Sequence, residues 1–154
     1  MRGAQIKKRV AQPDAVYKSR ILSRLVNNMM IHGKKSTAEG IIYKAVAVLS
    51  EDKKEAITMF EQAMKNIMPK QEVRSRRVGG VTYQVPFPLK HDRSEALAIR
   101  WLVTAARAKK GKPMAEKLAS ELKEALTNQG AAIKKRDDTH RMAEANKAFA
   151  HFRF

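Results

Sequence analysis

Through most of the chain, apolar residues recur every three or four positions, the spacing of α-helices that each bury one face. Ile21, Leu22, Leu25, Val26, Met29 and Met30 predict a first helix, with Ser19 placed to cap it and Gly33 to stop it. Ser36-Thr37-Ala38-Glu39 has the form of a capping box and predicts a second helix to about Leu49. Asp52-Lys53-Lys54-Glu55 is another such box. It predicts a third helix with Ile57, Phe60, Met64 and Ile67 on one face, ended by Pro69.

The period then changes. Val73, Val78, Val81, Tyr83 and Val85 favour strands, Gly79-Gly80 is a hairpin turn signal, and Pro86 and Pro88 exclude a central strand. A two-residue turn there sets Val78 opposite Val81, Arg76 opposite Tyr83 and Arg74 opposite Val85. Neither face of the hairpin is apolar enough to form a core. Asp92-Arg93-Ser94-Glu95 predicts the cap of a fourth helix running to about Ala108. Lys109-Lys110-Gly111-Lys112 reads as a loop and Pro113 as a helix start. A fifth helix carries Met114, Leu118, Leu122 and Leu126, and a sixth follows from Ala131 to about Ala150. The fold class is therefore mainly α: one domain, residues 1–154, of about six helices with a protruding two-stranded β-hairpin arm at 72–89. Residues 1–12 form a basic N-terminal extension, and 131–150 form the C-terminal helix.

Charge changes the picture most. Lys and Arg number 32 against 15 Asp and Glu in 154 residues, a formal net charge of +17. The excess is uneven. Residues 1–36 hold nine basic side chains and one acid, whereas residues 37–69 hold four and five. Self-repulsion of this size calls for a polyanion, so a nucleic acid leads and a membrane surface comes second. The longest apolar run, Ala45–Leu49, is far too short to span a bilayer. The absence of cysteine removes disulfides, thiolate metal sites and thiol nucleophiles together.

Two elements have the chemistry a polyanion needs. The arm interleaves Arg74, Arg76 and Arg77 with Tyr83, a pairing suited to phosphate contact and base stacking. On the fourth helix, Arg93, Arg100 and Arg107 fall in one stripe, while Leu97, Ile99, Trp101, Leu102 and Val103 make the rest apolar. Trp101 reads as a core residue. The sixth helix has a weak apolar face, with Met142 and Phe149 together and five cations scattered around it. Gly33-Lys34-Lys35-Ser36 precedes a helix start and offers one weak anion site. Catalytic groupings are poor. His140 and Glu144 share a face at i, i+4, but Arg141 stands where a zincin motif has glutamate, and no third ligand is in view. His32, His91 and His151 have no acid at a useful spacing and read as surface or core fillers. A DNA-binding regulator would need adjacent base-reading polar residues on one helix, and an RNA-processing enzyme would need convergent acids. The acids instead cluster in residues 51–61.

Several segments together resemble the small ribosomal subunit protein seven family, in its bacterial or organellar branch. They are Gly33-Lys34-Lys35-Ser36-Thr37-Ala38; Glu72-Val73-Arg74-Ser75-Arg76-Arg77-Val78-Gly79-Gly80 with Thr82-Tyr83-Gln84-Val85-Pro86; Ala96-Leu97-Ala98-Ile99-Arg100-Trp101; and His140-Arg141-Met142-Ala143-Glu144-Ala145-Asn146-Lys147-Ala148-Phe149-Ala150-His151. The likeness runs from Pro13-Asp14 to Phe152. It implies a non-enzymatic protein without a cofactor or metal. Such a protein binds the 3′ major domain of small-subunit ribosomal RNA (rRNA) and nucleates assembly of the subunit head.

By the same resemblance, rRNA contact falls to Arg2, Lys7, Lys8, Arg9, Lys34, Lys35, Arg74, Arg76, Arg77, Arg93, Arg107 and Lys112. Proximity to exit-site transfer RNA (tRNA) and messenger (mRNA) falls to Val78, Gly79, Gly80, Val81, Tyr83, Arg141 and Lys147. Head protein nine and platform protein eleven are the implied neighbours, in a cytoplasmic or organellar ribosome and away from membranes. Three positions depart from the family pattern: Pro13-Asp14-Ala15 in place of Pro-Asp-Pro, the added proline in Phe87-Pro88-Leu89, and the short end Arg153-Phe154.

Overall fold

The computed structural model describes residues 10–153. Helices α1 (Arg20–Met29), α2 (Lys35–Ala47) and α3 (Lys53–Ile67) come first, followed by the antiparallel strands β1 (Gln71–Val78) and β2 (Val81–Pro88). Helices α4 (His91–Ala108), α5 (Met114–Leu126) and α6 (Ala131–Ala145) follow, and a 3₁₀ helix (Lys147–Phe152) closes the chain. The expected mainly helical body with a hairpin arm is what forms. Among the described residues no helix is long and apolar enough to cross a membrane.

One hydrophobic cluster draws on all six α-helices. Leu22, Leu25, Ile42, Phe60, Met64, Ile67, Leu102, Leu118 and Leu122 are completely buried in it. Burying a side chain of this size is worth about 1.5–3 kcal/mol, so these positions supply the cohesion that the charged surface does not. Trp101 is half-buried and packs against the cluster rather than lying inside it.

Helix beginnings differ from the capping boxes read in the sequence. At α3 the box half forms: Asp52 accepts from the Lys54 N–H at 3.1 Å, while Glu55 takes the Ser50 hydroxyl at 2.5 Å and does not return to Asp52. At α2 it does not form, because the chain turns helical at Lys35, one residue before Ser36, and Glu39 pairs with Lys35 at 3.7 Å. At α4 the helix starts at His91. Ser94 donates instead to the Pro69 carbonyl at 2.7 Å, and Glu95 is buried against Arg24 at 2.6 Å. The Ser19 hydroxyl likewise leaves α1 uncapped and donates to Glu61 at 3.2 Å. Pro113 occupies the N-cap of α5 rather than its first turn. At α1 and α4 a partner from elsewhere in the fold outcompetes the local bond, and at α2 and α3 a near neighbour does.

The C-terminal helix also ends earlier than Ala150. α6 stops at Ala145, where the Asn146 side chain and backbone both donate to the Met142 carbonyl, and the chain tightens into the 3₁₀ helix. Arg136 on α6 is committed to the body, donating to the Asn66 carbonyl at the end of α3 at 2.5 Å. Near the other terminus Asp14 is buried. It accepts the Val16 and Tyr17 N–H groups at 3.0 and 3.1 Å and the Tyr43 hydroxyl at 2.8 Å. Burial, followed by that bond to Asp14, pushes the Tyr43 phenol up to about 12.

The start of α6 is built by α5. Glu121 has no exposed surface, yet its Oε1 accepts the Ala132 N–H at 2.8 Å and its Oε2 meets Lys109 Nζ at 2.9 Å. A helix N-terminus carries unpaired N–H groups and partial positive charge, so a carboxylate suits it even when buried. Gly130 makes this approach feasible. Its φ is +95°, and a Cβ there would stand 2.9 Å from Glu121 Oε1. Replacing Glu121 by Ala leaves that N–H unpaired and takes one of two carboxylates from Lys109. We expect a loss of about 2–4 kcal/mol in stability, read as a lowered urea midpoint. A change under about 0.5 kcal/mol would show that the cap contributes nothing.

Candidate nucleic-acid interface

Helix α4 is apolar on nearly every side. Leu97, Ala98, Ile99, Leu102, Val103, Ala105 and Ala106 are all buried. Arg93, Arg100 and Arg107 stay exposed along one edge, as their seven-residue spacing requires. The Arg107 guanidinium donates to the Met29 carbonyl at 3.0 Å, which fixes it at the carboxyl end of α1, where a cation is favoured. The outer face of α1 lies beside this edge. Arg20, Arg24, Asn27, Asn28 and Arg93 are among the residues lining a surface groove of about 590 Å³. Arg24 is held there by Glu95 and by the Asp92 carbonyl at 3.4 Å, and Arg20 lies 3.6 Å from Asp92.

The arm has the expected register: Val78 opposite Val81, Arg76 opposite Tyr83 and Arg74 opposite Val85. Gly79 and Gly80 have φ of +58° and +87°, the pair of left-handed residues that a two-residue hairpin turn needs. The ladder continues past both prolines to Gln71 opposite Pro88, which is tolerable because neither strand has a second neighbour. Contrary to the reading of two non-core faces, the root of the arm is buried, with Glu72, Val85 and Pro86 all shielded from water. Only the outer part protrudes.

At that root Glu72 gathers cations from two elements. Its Oε1 accepts from Arg74 Nε at 2.6 Å, and its Oε2 faces Arg93 Nη2 at 3.3 Å. Both arginine side chains remain about half exposed. Phe87 stands opposite Glu72 in the ladder, and the Arg74 and Arg76 guanidiniums each lie 5.5 Å from its ring centre, within cation–π range. Arg77 is exposed on β1. Tyr83 is not free to stack on a base with its whole ring. It packs on Phe149 at 5.2 Å and Phe152 at 5.0 Å, and Arg153 donates to the Pro86 carbonyl at 2.5 Å. The C-terminal segment thus braces the arm.

The remaining candidates are spread over the surface. Lys34 and Lys35 are exposed at the start of α2, and Lys112 is exposed in the loop before α5. Arg141 pairs with Asp138 at 3.7 Å and Lys147 with Glu144 at 3.2 Å, both as exposed neighbours on one turn that cost little to part. Val78, Gly79, Gly80 and Val81 form the arm tip. Arg2, Lys7, Lys8 and Arg9 lie outside the described residues. Sequence reasoning missed Arg20, Arg24, Asn27 and Asn28, although their spacing of four, three and one marks the polar face of α1 opposite Leu22, Leu25 and Met29. It also missed the function of Glu72, for which no local pattern exists.

His140 serves the arm. Its Nε2 accepts the Lys70 N–H at 3.0 Å, immediately before β1. Among the described residues no group of three His, Asp or Glu side chains is placed to hold a metal ion.

Exposed guanidiniums thus line the arm and one edge of α4, and Glu72 joins the two rows. The family model described as ribosomal protein S7p/S5e matches residues 1–147, and the chain belongs to that family, whose members are structural, non-enzymatic ribosomal components. Proteins named small ribosomal subunit protein uS7 are among its relatives. That of Oleidesulfovibrio alaskensis is 56% identical over 154 residues, covering 99% of each chain. That of Fervidobacterium nodosum is 54% identical over the full length of both, and that of Pelotomaculum thermopropionicum 53% identical over 99% of this chain and 98% of its own.

Burial, then the nearby Arg136 and Lys70 charges, lower the His140 pKa from its ordinary 6.5, with Asp137 opposing them. The folded state therefore binds this proton less readily than the unfolded chain does. The stability contributed by neutral His140 is complete above the ordinary imidazole range and declines as pH falls through it. The urea midpoint should drop between pH 7.5 and 5.5, and His140→Gln should remove part of that drop. An identical pH profile in the variant would show that the bond to Lys70 has no part in it.

Proposed function

We propose that this protein is a structural constituent of the small ribosomal subunit that binds rRNA directly, recognising the 3′ major domain and nucleating assembly of the subunit head. The observation that carries this reading is the convergence at Glu72 of the arginine row on the arm with the arginine edge of α4. Two rows meeting at an angle suit the junction of RNA helices, where shape and phosphate position distinguish one fold from another. The α1 groove extends that surface with Arg20, Arg24 and two asparagines. Binding of this kind uses phosphate and sugar contacts from Arg, Lys and Asn, with little base reading.

On the same reading, Lys34, Lys35, Arg74, Arg76, Arg77, Arg93, Arg107 and Lys112 touch rRNA, as do Arg2, Lys7, Lys8 and Arg9. The arm tip, Val78 to Val81, with Arg141 and Lys147, faces exit-site tRNA and mRNA, and Tyr83 holds that tip in place through its two phenylalanine contacts. Val81 is 54% exposed at the tip, an apolar side chain left open for a partner. Head protein nine and platform protein eleven are the protein neighbours, within a cytoplasmic ribosome.

The test is filter binding of the full chain to head-domain rRNA and to an unrelated RNA of equal length. Replacing Arg74, Arg76 and Arg77 by Ala should weaken head-domain binding about 10–100-fold and reduce the slope of log affinity against log salt by about 2–3. Helical circular dichroism should stay unchanged, since the three side chains are exposed. Equal affinity of the native chain for both RNAs would overturn the proposal.

A further inference from the structure

We propose that Glu72, an acid within a basic surface, is a positioning residue for RNA recognition. It locks Arg74 of the arm and Arg93 of α4 into one rigid, outward-facing unit. The inference rests on the RNA-binding reading above and deepens it. A carboxylate beside a phosphate-binding site would ordinarily weaken binding by repulsion. Glu72 avoids this through burial: its side chain is 11% exposed, whereas those of Arg74 and Arg93 are 55% and 49% exposed. The negative charge stays inside and the guanidiniums face out.

Each carboxylate oxygen takes one arginine. Oε1 holds Arg74, and Oε2 holds Arg93 through both Nε at 3.4 Å and Nη2 at 3.3 Å. A guanidinium has five N–H groups in a fixed fork, so those not used by Glu72 keep set directions toward a ligand. Phe87, across the ladder, lies under Arg74 and Arg76 and restrains a third guanidinium. A free arginine loses rotamer entropy when it binds a phosphate, and here that loss is met on folding. Because Arg74 and Arg93 come from separate elements, the same carboxylate also sets the angle between the arm and the helical body. The ligand that gains is therefore RNA whose phosphates match that angle, not any polyanion.

The consequence runs against simple electrostatics. Glu72→Gln raises the net charge by one, so an unrelated RNA should bind equally well or slightly tighter. Head-domain rRNA should bind about tenfold more weakly, with the salt slope kept because no phosphate-contacting cation is lost. In a chain already carrying Arg74→Ala and Arg93→Ala, Glu72→Gln should have no further effect on the preference between the two RNAs. A residue that merely stabilised the fold would weaken both RNAs together and would still act in that background.

Should Glu72→Gln fail to fold, the Arg74→Lys/Arg93→Lys chain provides the test. It keeps both charges but loses the forks, and it should lose the same preference. Tighter binding of both RNAs by Glu72→Gln, or undiminished preference in the double lysine chain, overturns the proposal. Absence of preference in the native chain would instead sink the RNA reading itself.

Discussion

A surplus of seventeen positive charges has to be held at fixed spacing by forces that are not electrostatic. The hydrophobic cluster shared by the six α-helices does this, and α4 packs within it against α1, α3, α5 and α6. Nine of the eighteen residues of α4 are buried, so the helix can neither roll nor slide without exposing leucine, isoleucine and valine to water. Its three arginines inherit that rigidity. A cation on a floppy segment would attract RNA as well, but it would not discriminate among RNA shapes.

The few acids are spent in particular ways. Asp14, Glu72, Glu95 and Glu121 are buried, and each satisfies donors from another part of the chain: backbone and Tyr43, two arginines, Arg24, and the start of α6 with Lys109. Burying a carboxylate is costly unless it is paired or hydrogen-bonded: Asp14 accepts hydrogen bonds, Glu95 is ion-paired to Arg24, and Glu72 and Glu121 have both. Glu124 follows the same logic less deeply, its carboxyl held below the usual range first by Lys109. Glu72, Glu95 and Glu121 thus each hold a cationic side chain in place.

The arm shows how a marginal element becomes a usable one. A two-stranded hairpin in water has little stability of its own. Here its root is buried, His140 holds the residue before β1, and the C-terminal phenylalanines hold Tyr83. Tyr83 thereby acts as a strut for the arm, and the ring that lies beneath Arg74 and Arg76 is that of Phe87.

Hydrophobic periodicity, the glycine pair and the prolines determined the order of elements, the hairpin register and the arginine edge of α4, because those features depend on residues a few positions apart. The family membership was legible for the same reason, in short segments kept in order. Only the tertiary structure decided where helices begin, since Ser19, Ser94 and Glu95 had partners 25 to 71 residues away that outcompeted their local caps. It alone joined α1 to the basic surface, turned the chain out of α6 toward Tyr83, and placed Glu72 against Arg93, 21 positions on. Contacts of that kind leave no period in a sequence. They arise from burial, which is a property of the whole fold.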